Sequence, residues 1–80
     1  MNVKQYAILQ YLLLKWGQES GGYVSPTEVG MKVGEKPYET ASSWASPTLK
    51  TMQKKNWVIR NKRGHYAITG KGRMVLENES

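Results

Sequence analysis

Apolar residues crowd the first sixteen positions of the chain and thin out afterwards. Residues 3–16 hold ten of them in fourteen places: Val3, Tyr6, Ala7, Ile8, Leu9, Tyr11, Leu12, Leu13, Leu14 and Trp16. That density predicts a helix. It also exceeds the stripe of roughly 100° that a surface helix needs to meet a core. The surplus, Tyr6, Leu9, Leu13 and Trp16 set against Ala7, Tyr11 and Leu14, calls for a covering element, either a later helix or a partner. Gly17, Gly21 and Gly22 break the pattern, and Tyr23-Val24 remains as a short extended piece. Ser25-Pro26-Thr27-Glu28 then reads as a helix start. Ser25 caps, Pro26 suits the first helical position, and Glu28 stands where a capping box wants it. Val29, Met31 and Val33 continue this second helix, Gly34 ends it, and Pro37 keeps the following turn open.

From Thr40 to Lys55 the helical period returns. Ala45, Leu49 and Met52 fall on one face, with Ser43, Ser46, Lys50 and Lys54 on the other. Pro47 bears on where this third helix begins, because a proline deep inside a helix costs ~3 kcal/mol. The cost nearly vanishes if Ser42 or Ser43 is the cap, which predicts a helix over 42–55. Asn56 suits the left-handed residue after its end. Trp57–Arg60 and His65–Thr69 are β-prone runs separated by Asn61-Lys62-Arg63-Gly64, a hairpin with a basic tip. Thr69 then caps a last helical stretch, Lys71 to Glu77, whose Met74, Val75 and Leu76 are expected to cover the spare face of the first helix. The expected fold class is α+β: three helices with a short strand and a two-stranded hairpin, plus a short C-terminal helix. One domain over 1–77 and a frayed tail over 78–80 complete the organisation.

Charge sharpens this picture once it is divided along the chain. The net charge is +6, yet residues 1–49 carry four lysines and four glutamates and are neutral. Residues 50–73 carry Lys50, Lys54, Lys55, Arg60, Lys62, Arg63, Lys71 and Arg73 with no acid between them. A field this concentrated suits a polyanion. Chemistry is hard to find by contrast. The chain has no cysteine and no aspartate, Glu77 and Glu79 stand at the C-terminal end, and the lone His65 lacks a nucleophilic or carboxylate partner. No enzyme, cofactor, metal site or small-molecule ligand is therefore expected. Neither a secretory leader nor a membrane span is expected, which suggests a reducing, cytoplasmic, nucleoid-associated location.

Two short helices joined by a tight turn, the second showing hydroxyls and lysines, form a helix-turn-helix pattern. The candidate base-reading residues are Ser42, Ser43, Ser46, Lys50, Thr51 and Lys54, with Lys50 and Ser46 expected to contribute most to selectivity. Arg60, Lys62, Arg63 and His65 are the candidates for adjacent phosphates or the minor groove. The N-terminus of the second helix, around Thr27, is expected to face a further phosphate. Trp44, Trp57, Tyr6 and Tyr11 read better as packing residues than as stacking platforms, which disfavours single-stranded nucleic acid. The run Pro47-Thr48-Leu49-Lys50-Thr51-Met52-Gln53-Lys54-Lys55-Asn56-Trp57-Val58 is similar to the recognition-helix-into-wing stretch of PadR-like and MarR-like winged-helix regulators. Tyr66-Ala67-Ile68-Thr69-Gly70-Lys71-Gly72-Arg73 resembles the run that closes the same wing. The resemblance spans roughly 42–76 and implies a winged helix-turn-helix, double-stranded DNA binding in transcriptional regulation, no catalysis and a homodimer. The alternative expectation is a protein-interaction module that docks through the apolar first helix and does not bind specific DNA.

Overall fold

A computed structural model describes residues 1–18 and 21–79. In order, the elements are α1 (Val3–Lys15), α2 (Pro26–Lys32), α3 (Tyr38–Lys54), β1 (Val58–Arg60), β2 (Tyr66–Ile68) and α4 (Gly70–Glu79). The described residues thus form an α+β fold of four helices and one two-stranded antiparallel sheet.

Local chemistry accounts for most boundaries. At the start of α1, Asn2 Oδ1 accepts from the Gln5 amide at 2.7 Å while Gln5 Oε1 accepts from the Asn2 amide at 3.1 Å, a reciprocal capping box. For α2, Ser25 Oγ accepts from the Glu28 amide at 3.1 Å and Pro26 occupies the first turn, as expected. The return bond from Glu28 is missing, because its carboxylate accepts instead from the Tyr11 hydroxyl at 2.6 Å. Gly34 is not the left-handed residue after α2; that residue is Glu35, at φ 53. Gly34 lacks a side chain for another reason, since a Cβ there would stand 2.8 Å from the Trp44 ring.

The start of α3 corrects the sequence expectation. The helix begins at Tyr38 after Pro37, with no side-chain cap, so Ser42 and Ser43 lie inside it and Pro47 sits near its middle. Packing explains the extra turn. Ala41 is fully buried, and its carbonyl presses on Gly30 of α2 so closely that any Cβ on Gly30 would overlap it. Burial of that turn outweighs the missing cap. Pro47 is exposed, and so is Ser43, whose carbonyl loses the N–H that a residue other than proline would donate. Water at the helix surface can take that place.

The core gathers Ile8, Leu9 and Leu12 of α1 with Val24, Val29, Ala45, Leu49, Met52, Val58, Tyr66, Ile68 and Leu76. Asn56 takes φ 64, as its place after α3 suggested. The hairpin pairs Val58 with Ile68, Ile59 with Ala67 and Arg60 with Tyr66. Val24 adds a bridge on the other side of Tyr66, through two backbone bonds of 2.8 Å. This bridge ties the hairpin to the N-terminal half. At the turn, Asn61 Oδ1 accepts from the amides of Arg63 and His65, both at 3.0 Å, and Gly64 has φ 80.

Thr69 caps α4 through a 3.0 Å bond from the Gly72 amide. The expected fraying over 78–80 is not found at Asn78 or Glu79, which are helical, with Glu79 Oε1 lying 3.7 Å from the N-terminal amine. Ser80 lies outside the described residues. Leu76 packs on α1 and Val75 is half-buried, but Met74 points outward and is 63% exposed. The spare face of α1 is therefore covered only in part, and Val3 and Leu14 remain 85% and 68% exposed.

Candidate nucleic-acid interface

Helical spacing puts Glu39, Ser43, Ser46, Lys50 and Gln53 in one stripe along α3, opposite the buried Ala41, Ala45, Leu49 and Met52. All five face solvent, with Ser46 half-buried. Ser42 and Lys54 flank the stripe, and the Ser42 and Ser46 hydroxyls lie 3.4 Å apart. Thr51 is exposed beside it, and its hydroxyl donates to the Pro47 carbonyl at 3.0 Å. A hydroxyl bound in this way can still accept a hydrogen bond.

Where α3 meets the hairpin, the surface is concave. An open groove of about 550 Å³ is lined by Lys50, Gln53, Lys54, Arg60 and Tyr66. Leu49 and Met52 hold the inner face of α3 in the core, so the next residues outward, Lys50 and Lys54, form one wall. Arg60 comes from the last residue pair of the ladder, opposite Tyr66, whose own ring is buried. A Cβ on Gly64 would come within 3.2 Å of Arg60 Nη2, so the guanidinium lies against the hairpin turn. Lys62 and Arg63 are exposed on that turn.

These cations are uncommitted. Among the described residues, ion pairs join the N-terminus to Glu79 and Lys15 to Glu28, and none involves Lys50, Lys54, Arg60, Lys62 or Arg63. Clustered like charges repel one another, and an anion laid between them relieves that repulsion. Two other cations of the basic segment are engaged elsewhere: Lys55 Nζ sits 5.1 Å from the Trp57 ring and Arg73 sits 4.3 Å from the Trp16 ring.

Not every expected site residue joins the groove. Thr27 is half-buried in the first turn of α2 and does not line it. His65 is half-buried, with its amide bound to Asn61. Conversely, Gln53 lines the groove although only hydroxyls and cations of that face were expected to, and its spacing from Lys50 already put it there; Glu39 joins the face only because α3 begins at Tyr38, ahead of the expected start. Trp44 packs as expected: it is half-buried, and Lys4 Nζ lies 4.2 Å from its ring while donating to its carbonyl at 2.7 Å. Trp57 is half-buried against the core.

An acid at the start of α2 would repel a phosphate, but the Glu28 carboxylate is held by the Tyr11 hydroxyl and by Lys15 Nζ at 3.6 Å. Burial pushes the Tyr11 hydroxyl up from 10.0 to about 12, helped by its hydrogen bond to Glu28 and by that residue's negative charge. The folded protein thus holds this proton more tightly than the unfolded chain does. The resulting stability is fully present below pH 10 and is lost as pH rises toward 12. In an absorbance titration Tyr11 should ionise near pH 12, and Tyr11→Phe should abolish that step. A late step that survives Tyr11→Phe would assign it to another tyrosine.

Among the described residues, no group of three or more His, Cys, Asp or Glu is placed to hold a metal ion, and no helix is long and apolar enough to cross a membrane. No family model, curated protein or solved structure matches the chain.

Proposed function

We propose that the chain is a small winged-helix reader of double-stranded DNA, acting in transcriptional regulation, with α3 in the major groove and the hairpin as its wing. The observation that carries this reading is the groove between α3 and the hairpin, with Lys50, Lys54 and Arg60 on its walls and, among the described residues, no acid paired with them. It is open to solvent and suits a sugar-phosphate strand rather than an enclosed small molecule. In this arrangement Lys50, Lys54 and Arg60 hold one strand, while Ser42, Ser43, Ser46 and Thr51 meet the base edges of the major groove. Lys50, expected from sequence to read bases, becomes a strand contact. Lys62 and Arg63 reach the neighbouring phosphates or minor groove, and His65 and Thr27 are peripheral.

Binding of this kind releases condensed counterions, so affinity must fall steeply with salt. Fluorescence titration of a short random-sequence duplex at several salt concentrations is the test. A second reading rests on the exposed Val3 and Leu14, which share one stripe of α1, and on Met74 of α4. In that reading the apolar surface docks a protein partner or a second copy of the chain, and the duplex titration shows no binding at any salt concentration.

A further inference from the structure

We infer that Glu39 is a specificity-determining residue of the α3 face, which reads a cytosine through its N4 amino group and disfavours unselective binding. The inference rests on the duplex-binding reading above and assigns a base preference within it.

The starting point is the early beginning of α3. A helix starting at Ser42 or Ser43 would present hydroxyls at its leading end, whereas the observed helix starts at Tyr38 and presents Glu39. The leading residues of a recognition helix are the ones that meet base edges. Glu39 is exposed and heads the stripe that continues through Ser43, Ser46 and Lys50. It lies eleven residues before Lys50, about 16 Å along the helix axis. That separation exceeds the screening length of about 8–10 Å at physiological salt, so the groove cations do not cancel its charge.

Against a duplex, a carboxylate is repelled by the phosphates on both rims of the major groove. Its favourable place is the floor, where a base must offer a donor. Cytosine presents its N4 amino group there, and carboxylates accept from it. The amino group of adenine sits beside the N7 acceptor, a pair that suits an amide rather than a carboxylate. The trailing half of the face carries the donors Lys50, Gln53 and Lys54, with Arg60 of β1 across the groove, so the acceptor-only carboxylate of Glu39 sets the leading end apart.

The experiment selects preferred duplexes from a random pool with the wild-type chain, then compares Glu39→Gln, Glu39→Asp and Glu35→Gln on the selected and random duplexes. Wild type should prefer cytosine at one position by about tenfold, the size of one mismatched base pair. Glu39→Gln should lose that preference and bind random duplex severalfold more tightly. Glu39→Asp keeps the charge that favours a helix start but shortens the reach, so it should lose the preference without the gain on random duplex. Glu35→Gln removes an acid that precedes the helix and should leave the preference intact. An unchanged preference in Glu39→Gln, or an equal loss in Glu35→Gln, overturns the inference while duplex binding stands. Wild-type failure to bind any duplex overturns both, and it shows before a variant is made.

Discussion

Replacing Lys50, Lys54 and Arg60 together with alanine should weaken binding to every duplex alike, by on the order of a hundred- to a thousandfold near 0.1 M salt, from three lost counterion-releasing contacts. The slope of log affinity against log salt should become shallower by about 2.7, at ~0.9 per phosphate contact. Both effects follow from the three side chains lining one groove with no ion pairs of their own among the described residues. The fold should survive, since all three residues are exposed and their removal relieves like-charge repulsion. An unchanged melting temperature would confirm that the loss belongs to binding. The contrasting pair is Lys55→Ala with Arg73→Ala, which removes cations already held over Trp57 and Trp16. This pair should leave the slope nearly unchanged. Equal effects from both sets would mean that overall charge matters and the groove does not.

The largest effect on stability is expected from Gly30→Ala. Alanine is ordinarily the better helix residue, by ~1 kcal/mol over glycine. Here the added methyl would overlap the backbone carbonyl of Ala41, which is fully buried where α2 meets α3. No flexible side chain can yield, so the two helices must separate. Overpacking of a core costs about 1–3 kcal/mol and occasionally more, and a rigid backbone contact belongs at the upper end. An 80-residue domain has little margin above a total stability of about 5 kcal/mol. A loss near 3 kcal/mol should lower the melting temperature by roughly 12–24 °C, at about 4–8 °C per kcal/mol for a domain of this size. Gly17→Ala makes a useful comparison, because nothing lies within 4 Å of its Cβ and only its φ of +88 opposes the change. That strain costs about 1–2 kcal/mol. Thermal melts followed by circular dichroism distinguish the two. A Gly30→Ala protein as stable as the parent would mean that α2 and α3 do not approach as described.

The same contact marks where reading from sequence stops. Features governed by neighbours along the chain were legible: the Ser25 and Thr69 caps, the left-handed Asn56, the hairpin around Asn61 to Gly64, and the polar face of α3. Features governed by distant partners were not. Pro47 argued for a late helix start because its cost is a local quantity, whereas the burial of Ala41 against Gly30 depends on two helices meeting. Glu28 fits a capping box until Tyr11, seventeen residues away, is found to hold its carboxylate. Gly34 follows the end of α2 as expected, but what requires a glycine there is the Trp44 ring and not a left-handed backbone. Of the eight basic residues between 50 and 73, composition could not say that aromatic rings hold Lys55 and Arg73. The groove itself was half visible. Lys50 and Lys54 shared a predicted face, but their closeness to Arg60 depends on the register of the hairpin and on its docking beside α3.

The central claim is that cations from α3 and the hairpin form one surface for a duplex backbone, and the wild-type salt titration addresses it most directly. With Lys50, Lys54, Arg60, Lys62 and Arg63 each neutralising a phosphate, log affinity for a random-sequence duplex should fall against log salt with a slope of about −4.5. No detectable binding at low salt, or an affinity indifferent to salt, would contradict it.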